Sequence, residues 1–354
     1  MSTDRTSPPA GNGTPQMGAG AAPRLRSLID CRLIIVTGKG GCGKTTVATA
    51  LALAAAETGK RVALAETGHD EHCPQLIDPT APAVGYQGRE LRPGLEVLHI
   101  RPFDALVEYL GLQIGMQALV ERGLRQPAFQ QLLAAAPGWR ELITLGKVYY
   151  MESLQRDARR PEYDLIIVDA PASGHGLTFL DVPRVVQSAI RSGPLRRNAG
   201  NVEALILDPG RTRLLPVSLA EELPVNETVE LIDRISEQVG VPIDRAVMNR
   251  VAPSPYGDAN DARQLETRLA ELGDDADATA CDVLPAPDVM AQCCAWRRER
   301  FELGARYVEQ LATRTSLPLF EVRDRLEGIE GPDTLLEIGR QLLGTTPNGR
   351  DAGE

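Results

Sequence analysis

The sequence predicts an α/β protein with a mostly parallel sheet, helices on both faces and a helical insertion at about residues 100–160. An apolar, β-branched run at residues 33–36 ends in a glycine-rich loop. An Ala- and Leu-rich stretch at residues 45–57 follows, with the composition of a helix. A second short apolar run occupies residues 61–65. Strand, loop, helix and strand in this order form a βαβ unit, whose two strands run parallel.

Later segments extend this pattern. Residues 163–169 form a continuous apolar run that ends in a carboxylate, which is typical of a strand covered on both faces. Asn226 can cap a helix that runs to residue 239. Further strands are predicted at residues 95–100, 203–207, 214–219, 245–248 and 317–322, and further helices at residues 102–160, 260–313 and 333–343. We expect one domain over residues 29–344, between a disordered leader at 1–28 and a disordered tail at 345–354.

Composition limits the possible functions. The 354 residues are 43% hydrophobic and 24% charged, as in ordinary globular proteins, and the net charge is −10. Proteins that coat nucleic acid or anionic membranes usually carry the opposite charge, so no nucleic-acid partner is expected. No stretch approaches the ~20 apolar residues that span a bilayer. Six cysteines without regular spacing do not indicate a disulfide framework. We therefore expect a cytoplasmic protein, with peripheral membrane association left open.

A phosphate-binding loop is the strongest functional signal. The pattern G-x-x-x-x-G-K-[ST] lies between a predicted strand and a predicted helix, as this motif requires. Its glycines let backbone N–H groups approach phosphate oxygens, and the helix that follows adds a positive dipole end. Lys44 would bind the outer phosphates and the Thr45 hydroxyl would bind Mg²⁺. The motif comprises Gly38, Lys39, Gly40, Gly41, Cys42, Gly43, Lys44 and Thr45.

Two further features extend this site. Lys39 is a second lysine inside the loop, and the residues alone leave open whether it stabilises the transferring phosphate or is merely exposed. Asp169 ends the apolar strand at 163–169, where a carboxylate can hold Mg²⁺ through a water molecule. The small, glycine-containing segment at 170–176 could then sense the γ-phosphate and change shape on hydrolysis.

These motifs resemble one known family. The loop, read as K-G-G-C-G-K-T-T at residues 39–46, resembles the deviant K-G-G-x-G-K-[ST]-T loop of the arsenite-pump and tail-anchored-protein targeting ATPases. Nitrogenase iron protein and the septum-site and plasmid-partition ATPases share that loop. Residues 163–183, which include D-A-P-A-S-G-H, are similar to the arsenite-pump branch in particular, and so is the E-E-L-P-V-N-E-T segment at 221–228. The resemblance extends from about residue 30 to residue 344.

The resemblance implies a P-loop NTPase fold and a Mg²⁺-ATP-dependent ATPase that works as a dimer. The dimer would be homomeric or formed with a paralogue, and it would act on a protein or membrane partner. Lys39 would reach the partner's nucleotide, and Asn249 would contact adenine. By the resemblance, the ATP-binding residues are Gly38, Lys39, Gly40, Gly41, Cys42, Gly43, Lys44, Thr45, Thr46 and Asn249, the Mg²⁺ residues are Thr45 and Asp169, and the catalytic residues are Lys39, Lys44 and Asp169. Asp70 is a further catalytic candidate, which the residues near the second strand suggest and the resemblance does not.

One departure from the family pattern concerns hydrolysis. The family places an Asp that positions the attacking water after the second strand, and Gly68 occupies that position here. Asp70 could replace it if the loop bulges, and Glu66 could replace it if the strand ends early. If neither does, the chain is an ATP-binding regulatory subunit with weak or no hydrolysis.

Other departures concern metals and clients. Cys293 and Cys294 are adjacent, whereas the targeting factor's zinc needs a C-x-x-C pair, so no such zinc clasp is expected. One phosphate loop and no cysteine triad make arsenite stimulation unexpected. The ligand-rich run at 69–73 reads more readily as a polar switch loop than as a metal site. For the apolar helices at 102–145 we favour mutual packing over a groove for hydrophobic client segments, which would make the chain a chaperone.

Overall fold

The computed structural model describes residues 27–136, 138–157, 160–254, 259–275, 286–325, 328–329 and 331–344. The predicted tail and nearly all of the predicted leader lie outside these residues. The strands within them are β1 (Leu33–Gly38), β2 (Val62–Glu66), β3 (Arg89–Arg92), β4 (Leu95–His99), β5 (Gln155–Asp157), β6 (Arg160–Pro161), β7 (Leu165–Asp169), β8 (Thr212–Leu219), β9 (Ala246–Val251) and β10 (Leu319–Arg323).

Helices occupy most of the remaining described chain, and none of them is long and apolar enough to cross a membrane. They are α1 (Lys44–Glu57), α2 (Cys73–Ile77), α3 (Pro102–Ile114), α4 (Gln117–Leu124), α5 (Pro127–Ala135), α6 (Trp139–Ser153), α7 (Ser173–Ala189), α8 (Pro194–Leu207), α9 (Glu222–Gln238), α10 (Ala259–Asp275), α11 (Pro287–Thr315) and α12 (Pro332–Leu343).

Eight of the strands form one sheet in the order β10-β9-β8-β1-β7-β2-β4-β3. Only the edge strand β3 pairs antiparallel with its neighbour, so the predicted mostly parallel sheet is confirmed. The strand that leads into the phosphate loop, β1, lies between β7 and β8. This order brings the carboxyl ends of β1, β2 and β7 side by side, although they are far apart in the chain.

Both faces of the sheet are buried. Alternate residues of β1 enter different cores, with Ile34 and Val36 on the face covered by α1 and α12, and Leu33 and Ile35 on the other. The second face is covered mainly by α6, α7, α8 and α9. Burial on both faces explains why these strands are continuous apolar runs instead of alternating ones.

Three local predictions are wrong. Residues 203–207 form the end of α8 and not a strand, because a short apolar run does not separate a strand from a buried helical turn. Helix α9 begins at Glu222, four residues before the expected cap at Asn226, since Pro224 is tolerated in a first helical turn. The segment at 170–176 is only partly a loop, because α7 already begins at Ser173.

Candidate functional site

The phosphate loop lies at the carboxyl end of β1 and leads directly into α1. Ligands of open α/β sheets bind at this edge, outside the carboxyl ends of the strands. Gly43 precedes α1 with a φ of 87°, a left-handed conformation that favours glycine. A Cβ on Gly43 would overlap the Asn249 side-chain amide, and a Cβ on Gly38 would overlap the carbonyl oxygen of Val217. Glycine at both positions therefore allows the loop to pack against β8 and β9.

The two loop lysines have different partners. Lys44 Nζ donates to the Lys39 carbonyl oxygen at 3.2 Å, so its ammonium group lies over the loop itself. Lys39 Nζ lies 2.8 Å from Oε1 of Glu227, on α9 of the same chain. About a third of each side chain in this pair is exposed. The structure thus gives Lys39 a specific partner, which the sequence pattern did not indicate.

Thr45 and Asp169 meet as expected of a magnesium site. The Thr45 hydroxyl donates to Asp169 Oδ2 at 2.5 Å. Asp169 Oδ1 is buried and has no hydrogen-bond partner within the described chain. Burial raises the pKa of Asp169 to about 6, although the Thr45 hydrogen bond and the nearby Lys44 charge lower it. A hydroxyl and a carboxylate with a free oxygen are donors that Mg²⁺ prefers, so these residues fit the ion.

Glu66 lies beside Asp169 because the two residues end neighbouring strands in register. The Glu66 side chain is buried, and burial raises its pKa. Its carboxylate accepts the backbone N–H groups of His72 at 2.7 Å and Cys73 at 3.2 Å. Glu66 therefore ties the far end of the loop at 67–72 back to the sheet.

The same loop has two other attachments. The Thr67 hydroxyl donates to the Asp169 carbonyl oxygen at 2.7 Å. His99, buried at the end of β4, places Nε2 2.8 Å from the Gly68 carbonyl oxygen and Nδ1 3.4 Å from Glu71. Sequence reasoning missed His99, and nothing in the local pattern around it would have indicated this role.

Asp70 lies on the exposed part of this loop. Its carboxylate has no hydrogen bond or ion pair to any part of the chain that the structure describes. Gly68 is also exposed. Of the two candidate replacements for the family's water-positioning Asp, Glu66 is thus bound to backbone N–H groups, whereas the Asp70 oxygens face solvent.

Asn249 is joined to the phosphate loop from the opposite side. It is buried at the end of β9, and its Nδ2 donates to the Cys42 carbonyl oxygen at 2.9 Å. A cavity of about 370 Å³ opens beside it. Adenine contact by Asn249 stays a prediction, but the amide has a defined role in holding the loop. The cavity lining includes Gly41, Gly43, Thr46, Asn249, Arg250 and Asp324.

Features outside this edge match the expectations only in part. Cys293 is exposed and Cys294 is buried on α11, so their side chains point in different directions. In the insertion, Leu106, Val107, Val120 and Leu124 pack together as predicted. Near the turn between α3 and α4, however, four large apolar side chains are exposed, which simple mutual packing does not explain: Leu112, Ile114, Met116 and Leu119.

Sequence comparison with known proteins identifies the same part of the chain. Residues 31–198, which contain β1, the phosphate loop and Asp169, match the family model of the anion-transporting ATPases. The ATPase BagA of Mycobacterium tuberculosis is 33% identical over 261 residues, which cover 72% of this chain and 74% of BagA. The chain belongs to the anion-transporting ATPase family. Its place in this family confirms the resemblance inferred from the loop motif.

Two further relatives have lower sequence identity to this chain. The arsenical pump-driving ATPase of Escherichia coli is 29% identical over 243 residues, which cover 62% of this chain and 40% of that protein. The ATPase get3 of Pyrenophora tritici-repentis is 28% identical over 230 residues, which cover 63% of each chain. The similarity therefore includes both the arsenical-pump and the get3 branches of the family.

Proposed function

We propose that this protein is a Mg²⁺-ATP-dependent dimeric ATPase whose conformational change acts on a protein or membrane partner. The observation that carries the proposal is the meeting of a two-lysine phosphate loop with the Thr45–Asp169 hydrogen bond at one sheet edge. These groups are the phosphate ligands and cation ligands that phosphoryl transfer to water needs. The match to named ATPases supports the same reaction.

In the proposed mechanism, water attacks the γ-phosphorus of ATP in line with the β–γ bridging oxygen. A P–O bond to water forms and the bond to ADP breaks, which yields ADP and phosphate. Lys44 neutralises charge on the outer phosphates, and Lys39 leaves Glu227 to do the same at the partner's nucleotide. Asp70 accepts a hydrogen bond from the attacking water, while Glu66 holds the loop that carries Asp70.

Thr45 and Asp169 would hold Mg²⁺. When bound, the ion neutralises charge on the β- and γ-phosphate oxygens. Asp169 is also the last residue before the short segment that leads into α7. A change at Asp169 can therefore pass to α7 and, through its packing, to α6 and α8.

Single-turnover hydrolysis of Mg²⁺-ATP tests this proposal. The purified full chain is assayed at concentrations that permit dimer formation, beside Lys39→Ala, Asp169→Asn and the control Lys60→Ala. Lys60 follows α1, near the opposite end of the sheet. We expect turnover in the parent and in Lys60→Ala, with losses of about 10²-fold or more in the other two variants. Unchanged turnover in Lys39→Ala would refute the role of the second lysine.

A regulatory ATP-binding subunit is the second candidate, and the exposed Gly68 favours it. Tight ATP binding with no turnover, in the parent and in Asp70→Asn alike, would support this reading. Addition of a paralogous chain that restores hydrolysis would then identify the missing half of the site.

A chaperone for hydrophobic membrane-protein segments is the third candidate, favoured by the exposed side chains of Leu112, Ile114, Met116 and Leu119. Such a patch on a protein surface often marks a site of interaction. An apolar fluorescent dye should bind the parent in a nucleotide-dependent manner, and Leu112→Ser/Leu119→Ser should reduce that binding. Dye binding that neither the nucleotide nor these substitutions change would argue against this function.

A further inference from the structure

Three side chains that can ligate a metal converge beneath the loop at 67–72. Glu66 and Asp169 end the neighbouring strands β2 and β7, and Cys73 is the first residue of α2. One ligand atom from each lies within 4.8 Å of the other two, and all three residues are buried. His69 and His72 of the same segment are exposed. The convergent set therefore differs from the run at 69–73 that the sequence suggested.

A second observation bears on a cation at this place, and it concerns the same Asp169 oxygen that fits Mg²⁺. Asp169 is 6% exposed, and its Oδ1 has no hydrogen-bond partner among the residues that the structure describes. A buried carboxylate oxygen without a partner is unfavourable, since it has lost water and gained nothing in return. A bound cation would satisfy this oxygen directly.

The donor set favours a different ion from Mg²⁺. Mg²⁺ binds oxygen and avoids sulfur, whereas Zn²⁺ binds thiolate, carboxylate and water together in a tetrahedral shell. Ligand atoms around one tetrahedral zinc ion lie about 3.5 Å apart. The observed upper limit of 4.8 Å is longer than that spacing, so the ligand atoms would have to move closer together when the ion binds.

We propose that Glu66, Asp169 and Cys73 form a site for a thiophilic divalent cation, with Zn²⁺ the ion that fits it best. A water molecule would complete the shell as the fourth ligand. On binding, a sulfur–metal bond forms and the Cys73 thiol proton passes to solvent.

The site has a consequence for the nucleotide. Asp169 belongs to both this set and the Thr45–Asp169 pair, so Zn²⁺ and Mg²⁺-ATP compete for it. Binding also joins Cys73 to the strand ends through its side chain, in addition to its N–H bond to Glu66. The loop at 67–72, which Thr67 and His72 already tie to the strand ends, would be fixed more firmly, and Zn²⁺ would inhibit turnover. The proposed cation binding does not depend on the proposed function, whereas the proposed inhibition of ATP turnover does.

Cobalt is the probe for the binding step, because thiolate ligation gives Co²⁺ a strong near-ultraviolet charge-transfer absorption. The full chain is titrated with Co²⁺ in the absence of nucleotide, beside Cys73→Ser and the controls Cys293→Ser and Cys31→Ser. We expect an absorption band that saturates at about one equivalent of Co²⁺ per chain. It should persist in both controls and disappear in Cys73→Ser. A band that survives in Cys73→Ser would overturn the proposal.

A second measurement guards against misfolding of Cys73→Ser. Zinc affinity is determined by competition with a chromophoric chelator for the parent, Glu66→Gln and Cys293→Ser, each checked by circular dichroism. Glu66→Gln should weaken Zn²⁺ binding on the order of tenfold or more, and Cys293→Ser should not. Equal affinity in all three proteins would overturn the proposal. Mg²⁺-ATP should lower the cobalt absorption of the parent, and no effect would exclude the shared Asp169.

These outcomes separate the two proposals. A chain that binds cobalt through Cys73 but never hydrolyses ATP keeps the cation site and loses the proposed ATPase activity. A chain that hydrolyses ATP but shows no Cys73-dependent cobalt band gives the opposite result.

Discussion

The Lys39 ammonium group lies 2.8 Å from the Glu227 carboxylate, and the two residues are 188 positions apart in the chain. The contact joins the phosphate loop to the second turn of α9. An exposed ion pair of this kind contributes about 0–1 kcal/mol, so a competing phosphate can break it. Glu227 thus holds Lys39 within its own chain.

Replacement of Glu227 by Gln tests this arrangement. Without the carboxylate, Lys39 is released at no cost, and ATP turnover at a fixed protein concentration should rise by up to about fivefold, the equivalent of 1 kcal/mol. Turnover is measured as a function of protein concentration, with Glu230→Gln on the next turn of α9 as the control. A fall to the level of Lys39→Ala would instead mean that Glu227 places Lys39 correctly.

Loss of the Thr45 hydroxyl should weaken magnesium-dependent ATP binding. Thr45→Ala removes the donor to Asp169 Oδ2 and leaves a buried carboxylate with fewer partners. Hydrogen bonds to charged groups are worth about 1.5–3 kcal/mol, which corresponds to roughly 10- to 150-fold in affinity. ATP binding is measured over a range of Mg²⁺ concentrations. Thr45→Ser keeps the hydroxyl and should bind nearly as the parent does. Equal affinity in Thr45→Ala would contradict a magnesium site here.

Asn249→Asp should destabilise the protein through the phosphate loop. The substitution keeps the size of the side chain but replaces the N–H donor that faces the Cys42 carbonyl oxygen with an acceptor. A buried carbonyl that loses its partner costs about 1–3 kcal/mol, and the new charge adds to this. The check is the denaturant midpoint, together with ATP affinity. Unchanged values of both would show that the amide does not hold the loop.

Cys31 should make stability fall with rising pH in the alkaline range. Burial raises the pKa of this thiol from 9.0 to about 11. Because the folded-state pKa is the higher one, the contribution is fully present below pH 9 and is lost as pH rises to 11. The contribution of this thiol to the unfolding free energy should decrease by about 3 kcal/mol over that window. Denaturant unfolding at several pH values checks this, and Cys31→Ala should show a shallower decrease. An identical decrease in both proteins would exclude the thiol as its source.

Most of the fold could be predicted because its signals are local. A short apolar run, a glycine-rich loop and an Ala-rich helix define β1 and α1 without reference to the rest of the chain. Prediction failed where local signals are ambiguous. The run at 203–207 is short and mostly apolar, which suits a strand and a buried helix alike, and only the burial of Val202, Leu205 and Ile206 shows the helical period.

In the candidate site too, residues with local sequence signals were predicted, and residues that depend on tertiary contacts were not. The loop residues, Thr45 and Asp169 were found from motif and context, and the structure brings them together. His99 and the Glu227 partner of Lys39 were missed, because each contact depends on which strands and helices become neighbours. Asp70 and Glu66 could not be ranked from the sequence. They differ in exposure and hydrogen bonding, because Glu66 is buried and accepts two backbone N–H groups while Asp70 is exposed.

Residue types alone are enough to identify a two-lysine phosphate loop, a strand-ending carboxylate and membership of the anion-transporting ATPases. These follow from residue types at short spacings, which backbone geometry converts directly into local structure. The pairing of Lys39 with Glu227 and the convergence of Glu66, Cys73 and Asp169 become visible only in the folded chain. Strand and helix order, which burial of the whole sheet sets, places residues 102 and 188 positions apart within contact distance.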